Sequence, residues 1–184
     1  MFKNFNLSIR EIIEHLSEVE KKLDANAINN LIGLILNSRN VFCYGAGRSG
    51  FIARCFVQRL AHIGFKAYFI GETVTPKCGR EDLVIIISGS GATASCICFA
   101  KKAKEIGAKI VAITANPSGK LSKYTDLIVH VPGKTKLLER KSYAPFTSLF
   151  DIAVLSVCDS IISEIMGRLG ISEDMILERH ANIE

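Results

Sequence analysis

Apolar residues recur at helical intervals near the start of the chain. Ile9, Ile12, Ile13, Leu16, Val19 and Leu23 are separated by Glu11, Glu14, Glu18 and Lys22, which predicts a one-faced amphipathic helix. A second helix is expected over residues 27–36, and the two together form an N-terminal arm (about residues 1–38) that covers a sheet or a neighbouring subunit. From Val41 the texture changes. Val41-Phe42-Cys43-Tyr44 is a short apolar run ending at Gly45, and residues 51–63 read as a helix stopped by Gly64. Further strands are expected at 66–70, 83–87, 109–114 and 127–131, with a helix over 93–106 ended by Gly107. Strands alternating with helices of this length predict parallel βαβ units with right-handed crossovers. The expected fold is therefore α/β, a three-layer αβα sandwich with a mainly parallel five-stranded sheet. A last long helix, about 147–169, is apolar on nearly all sides (Leu149, Ile152, Val154, Leu155, Val157, Ile161, Ile162, Ile165), which predicts burial against the sheet and a second body, such as another subunit. With no linker in view, residues 1–184 read as one domain whose C-terminal helix and tail occupy about 147–184.

Composition narrows the class. Apolar residues at 48%, charged residues at 22% and four prolines exclude a disordered or collagen-like chain. The net charge of +5 suits a small anion as readily as nucleic acid, but neither an RNP-like aromatic pattern nor a basic helix is present, so no nucleic-acid partner is expected. The basic segment 134–141 reads as a solvated loop. Six scattered cysteines without CxxC spacing imply a reducing compartment and packing roles. No His/Cys/Asp/Glu group has metal-ligand spacing, so neither metal nor cofactor is expected. The uncharged stretch 83–100 is broken by Ser-Gly-Ser-Gly and is too polar to span a membrane, and the N-terminus lacks the pattern of a signal peptide, which makes the cytoplasm the expected location.

Two turns carry candidate chemistry. Gly45-Ala46-Gly47-Arg48-Ser49-Gly50 follows a strand and opens a helix, where backbone N–H groups and the positive helix end favour an anion. The turn also fits a dinucleotide fingerprint, with Glu72 near the offset of a ribose-binding acid. Ser88-Gly89-Ser90-Gly91-Ala92-Thr93 is more informative. Its three hydroxyls around two glycines can donate to several oxygens of one terminal phosphate, and the Lys of a diphosphate loop is missing, so the implied ligand is a phosphomonoester. Helix capping accounts for Thr93 but poorly for Ser88 and Ser90.

The Ser88–Thr93 string resembles the phosphate loop of sugar isomerase (SIS) domains. Gly45–Gly50, Arg59-Leu60-Ala61-His62-Ile63-Gly64-Phe65, Gly71-Glu72-Thr73-Val74-Thr75-Pro76 and the tail Arg179-His180-Ala181-Asn182-Ile183-Glu184 resemble the 6-phospho-3-hexuloisomerase branch of that family. The resemblance implies a metal-free isomerisation of a 3-hexulose 6-phosphate to fructose 6-phosphate through a cis-enediolate. It implies that Gly47, Ser49, Ser88, Gly89, Ser90 and Thr93 hold the phosphate, that Arg48 and Glu72 orient the sugar, and that Asp151, His180 and His62 form the catalytic set. In the family the base is a glutamate in a Gly-Ser-x-Phe-Glu context. Here the matching position is Asp151, one methylene shorter, and Phe146-Thr147 replaces Met-Gly. His180 would enter a neighbour's site, so a dimer or tetramer is implied, while His15 and His130 look incidental. Two other readings stay open at this point: a non-catalytic phosphosugar-binding module, favoured by the Asp151 departure, and an isomerase of arabinose 5-phosphate, whose extra nucleotide-sensing domains are missing here.

Overall fold

A computed structural model describes residues 2–135 and 141–183; five residues of the basic segment lie outside them. Five parallel strands, β1 (Val41–Gly45), β2 (Ala67–Phe69), β3 (Leu83–Ile87), β4 (Lys109–Thr114) and β5 (Leu127–His130), form one sheet in the order β2-β1-β3-β4-β5. Among the described residues six α-helices accompany them: α1 (Lys3–Lys22), α2 (Ala25–Asn37), α3 (Arg48–His62), α4 (Ala94–Ile106), α5 (Ser148–Leu169) and α6 (Glu173–Leu177). A 3-10 turn, Lys120–Tyr124, precedes β5. Neither that turn nor α6 was expected from the periodicity, since each is only five residues long.

The period of two along the strands divides the core. Val41, Cys43, Leu83, Ile85, Ile87, Val111 and Ile113 face α2, α3 and α5, while Phe42, Val84, Ile86, Ile110 and Ala112 face α4 and the 3-10 turn. Helices thus cover both faces, and the central strand β3 is apolar throughout because neither of its faces meets water. The expected burial of α5 is met largely within the chain. It packs on α3 and under α1 and α2, so the arm's Val19, Leu31, Ile32 and Ile35 are buried against their own sheet and helices. The outer side of α1 is different: Phe2, Phe5, Ile9 and Ile13 are exposed.

His15 is not incidental. It is buried on α1, with Nε2 3.2 Å from the carbonyl of Pro132. One turn earlier Glu11 accepts the amides of Tyr143 and Ala144 at 2.6 and 3.0 Å. Together they tie the arm to the two described flanks of the segment leading into α5.

In a sheet of this order the chain winds outward in opposite directions from β1 and β3, which leaves a crevice beyond their carboxyl ends. The two glycine-rich turns lie there, since the β1/β3 register pairs Gly45 with Ile87.

Candidate active site

The turn after β1 is tight. A Cβ on Gly45 would stand 2.5 Å from the carbonyl oxygen of Ser49, so only glycine lets the strand end approach the first turn of α3. Gly47, the N-cap of α3, has φ +60°, which an L side chain adopts only at a cost. After β3, the hydroxyls of Ser88 and Ser90 gather on Thr93, at 3.3 and 3.5 Å, and Ser90 Oγ accepts the amide of Ala92 at 3.2 Å. Two residues not picked out from the sequence support this loop from the end of β4. Thr114 donates to the carbonyl of Gly89 at 3.4 Å, and Asn116 donates to that of Ser90 at 3.1 Å. Their signal was only that they follow the neighbouring strand, which becomes informative once strand order is known.

The two turns and the start of α5 enclose a cavity of about 260 Å3. Gly47, Arg48, Ser49, Ser88, Gly89, Ser90, Thr93 and Asp151 all line it, so eight of the expected site residues meet in one place. Asp151 is buried, and its carboxylate is held from two helices. Arg48 Nε donates to Oδ2 at 2.8 Å and Thr147 Oγ1 donates to the same oxygen at 2.7 Å, while Ser49 Oγ lies 3.4 Å from Oδ1. Ser49 therefore points at the carboxylate rather than at the Ser88–Thr93 loop. Phe146, Thr147 and Phe150 also line it, and none of them stands out in the sequence as a site residue. Phe146 is 60% exposed at the cavity mouth with φ +46°, a left-handed conformation that is uncommon outside glycine.

Three expected residues lie elsewhere in this chain. Glu72, at the end of β2, pairs with Arg54 at 3.1 Å and lines a separate groove of about 470 Å3 with Phe51, Tyr68 and Val74. This groove is larger than the cavity but contains none of the loop hydroxyls. Glu72 is there because β2 is an edge strand, one place beyond the β1/β3 crevice. His62 ends α3, about 20 Å along the helix from Arg48 at 1.5 Å per residue. His180 stands against it, ring centroids 5.1 Å apart, and Arg179 donates to the His62 carbonyl at 3.3 Å. His62 is buried, and its Nδ1 has no hydrogen-bond partner among the described residues. Burial, then the neighbouring His180 and Arg59, lowers its pKa below the ordinary 6.5. The tail thus docks at the opposite end of α3 from its own chain's cavity.

No group of His, Cys, Asp and Glu among the described residues could hold a metal ion, and no helix among them is long and apolar enough to cross a membrane.

An all-parallel sheet whose strand order reverses between β1 and β3, with a Ser/Gly loop at that switch point, defines a doubly wound α/β class, and the chain belongs to the SIS domain family, whose pattern matches residues 34–160. Within that family it is similar to proteins of one kind. The 3-hexulose-6-phosphate isomerase of Methanocaldococcus jannaschii is 42% identical over 158 residues, covering 86% of this chain and 84% of that one. The 3-hexulose-6-phosphate isomerase of Bacillus subtilis is 38% identical over 179 residues, covering 96% and 97%. A crystal structure from Methanococcus jannaschii, for which a function of 3-hexulose-6-phosphate isomerase was inferred, superposes with a TM-score of 0.82 at 38% identity, covering 99% of both chains. The dinucleotide reading of the first turn is thereby set aside.

Proposed function

We propose that this protein is an isomerase that interconverts D-arabino-hex-3-ulose 6-phosphate and fructose 6-phosphate through a cis-enediolate. The observation that carries the reading is that the hydroxyls of Ser88, Ser90 and Thr93 line the same cavity as the buried carboxylate of Asp151. A phosphomonoester anchored on the loop leaves the carbons of its sugar within reach of that carboxylate. The relatives named 3-hexulose-6-phosphate isomerase, which align over most of the chain, supply the substrate class.

The chemistry needs one base and a way to move a hydroxyl proton. Asp151 takes the proton from carbon 2 of the 3-ketose, the C–H pair forms the C2=C3 bond, and the carbonyl pair moves to O3. Return of the proton to carbon 3 and loss of the O2 proton leave the carbonyl at carbon 2. The Arg48 guanidinium, 62% exposed and bound to Asp151 only through Nε, has further N–H donors that can hold the developing enediolate oxygens. Ser88, Ser90 and Thr93, with backbone N–H groups of the loop and of α3's first turn, hold the phosphate.

His180 and His62 complete the site from a neighbouring copy, with His180 moving the proton between O2 and O3. Their distance from their own cavity supports this assignment. So does the cavity's size of about 260 Å3, just under the roughly 300 Å3 at which small-molecule sites begin. The exposed stripe Phe2, Phe5, Ile9 and Ile13 on α1 is apolar surface that a dimer or tetramer would cover. Glu72 reaches sugar hydroxyls in the same assembly. Six free cysteines support a location in the reducing cytoplasm.

Incubation with fructose 6-phosphate in deuterium oxide tests the reaction. Deuterium is expected at carbon 3 and 3-hexulose 6-phosphate is expected to form. Binding of fructose 6-phosphate without exchange would overturn the isomerase and leave a phosphosugar-binding module.

A further inference from the structure

The two oxygens of Asp151 have unequal surroundings. Oδ2 accepts from Arg48 Nε at 2.8 Å and from Thr147 Oγ1 at 2.7 Å, distances typical of strong hydrogen bonds to a charged acceptor. Among the described residues Oδ1 has only Ser49 Oγ, at 3.4 Å, which is too long to occupy a lone pair firmly. Thr147 is also at an informative place. It is the N-cap of α5, where a hydroxyl oxygen ordinarily accepts an N–H of the first turn, yet its side chain makes no capping bond. Its hydroxyl proton is directed one turn on, to the Asp151 carboxylate.

Two donors on one oxygen, one from α3 and one from α5, fix a short side chain with only two torsions. Placement matters here because a displacement of about 1 Å at a reacting group can cost on the order of 100-fold in rate. Building on the assignment of Asp151 as base, we infer that Thr147 is a positioning residue. With Arg48 it holds Asp151 by Oδ2 so that Oδ1 is the oxygen that exchanges a proton with the sugar carbons. Ser49, weakly engaged at Oδ1, gives way when the substrate carbon approaches.

The test compares Thr147→Val, which keeps the shape and removes the donor, with Thr147→Ser, which keeps the donor. Thr147→Val is expected to lower kcat by about 10- to 100-fold while KM stays within about two-fold, because only the reacting geometry is disturbed. Thr147→Ser returns kcat to within about three-fold of the starting protein. The melting temperature of Thr147→Val falls by roughly 3–12 °C, since a buried carboxylate loses a donor, and kcat is therefore compared at a temperature where both proteins are fully folded. A Thr147→Val enzyme with unchanged kcat overturns the inference. Asp151→Asn, measured alongside, separates the two layers. Full activity in Asp151→Asn removes the base assignment and the inference with it, whereas loss there combined with an unaffected Thr147→Val removes the inference alone.

Discussion

Two aspartates of this chain are buried, each beside an arginine, and they stand at opposite edges of the same sheet. Asp82 lies just before β3 at the amino edge. Its Oδ1 accepts from Arg39 Nε at 3.2 Å and Asn40 Nδ2 at 2.8 Å, and its Oδ2 accepts from Arg39 Nη2 at 3.1 Å and the Gly79 amide at 2.6 Å. Asp151, at the carboxyl edge, has two donors on one oxygen and one distant hydroxyl on the other, and it borders a cavity. A carboxylate with both oxygens doubly satisfied has nothing left to offer a substrate and serves to tie Arg39, Asn40 and the Gly79 turn to the sheet. A carboxylate satisfied on one side only is held in place and still able to accept a proton. Burial and an arginine partner are therefore common to both roles, and the count of donors on each oxygen tells them apart.

Four variants can break or sharpen that contrast. The largest effect is expected from Asp151→Asn, which should lower deuterium exchange into fructose 6-phosphate on the order of 1,000-fold, as loss of a general base does. Its melting temperature should move far less than that of an Asp82 variant. Asp82→Ala should do the reverse. It leaves Arg39, Asn40 and the Gly79 amide without their acceptor and should cost about 3 kcal/mol, the low end for a broken buried pair because Arg39 is 54% exposed and can rehydrate. At this chain length that lowers the melting temperature by roughly 6–12 °C, with kcat of the folded enzyme unchanged. A lost kcat without a lower melting point would erase the distinction between the two edges.

The pH dependence of Asp82 follows from the same contacts. Burial alone would raise its pKa, but the bonds from Arg39, Gly79 and Asn40 outweigh burial and hold it below the ordinary 3.8. Its stabilisation is complete above that value and is lost as pH falls through the lowered one, so Asp82→Ala should flatten the acid limb of a melting-temperature profile below about pH 4.

Ser88→Ala should raise KM about 10-fold, the value of one hydrogen bond to a charged group, with kcat within about two-fold; measured binding of inorganic phosphate should weaken in parallel. The reverse pattern, a kcat effect alone, would move Ser88 from binding to chemistry. The smallest effect is expected from His62→Gln. Because the folded protein lowers the pKa of His62 below 6.5, the unfolded chain binds more protons on the acid side of that value. Stability contributed by neutral His62 is full above the ordinary value and falls as the solution is acidified, so the variant should lose less on going from about pH 7 to about pH 5. Because His62 is assigned to a neighbour's site, kcat should also fall in this variant, less than in Asp151→Asn, and an unchanged kcat would remove His62 from that site.

The strands and the loop were the most legible parts of the chain. β3 and β4 begin and end where the apolar runs predicted, and α4 ends at Gly107 with φ +87°, as a C-terminal glycine signals. Strand period, helix period and turn composition are properties of a few consecutive residues, so a single chain displays them. The hydroxyl cluster was legible for the same reason, because Ser88, Ser90 and Thr93 lie within six residues.

The partners of Asp151 were not legible. Arg48 is 103 residues away, and only the β2-β1-β3-β4-β5 order brings the first turn of α3 against the first turn of α5. Thr147 is near in sequence, but a threonine four residues before an aspartate bonds to it only if the helix starts between them. The left-handed φ of Phe146 has no local signature either, since nothing in its neighbourhood calls for a conformation that favours glycine. Glu72 and His62 show the opposite limit. Each has chemistry suited to a sugar site, and each was assigned by motif, yet the edge position of β2 and the length of α3 set them apart from the cavity of their own chain.

By itself the sequence determined the alternation of strands and helices, the two glycine-rich turns and the cluster of hydroxyls in the second. These depend on local backbone preference and on the spacing of apolar residues. Tertiary structure decided which carboxylate is left with a weakly engaged oxygen and which is saturated, because donor geometry around a buried group is set by elements that meet only after the sheet has formed.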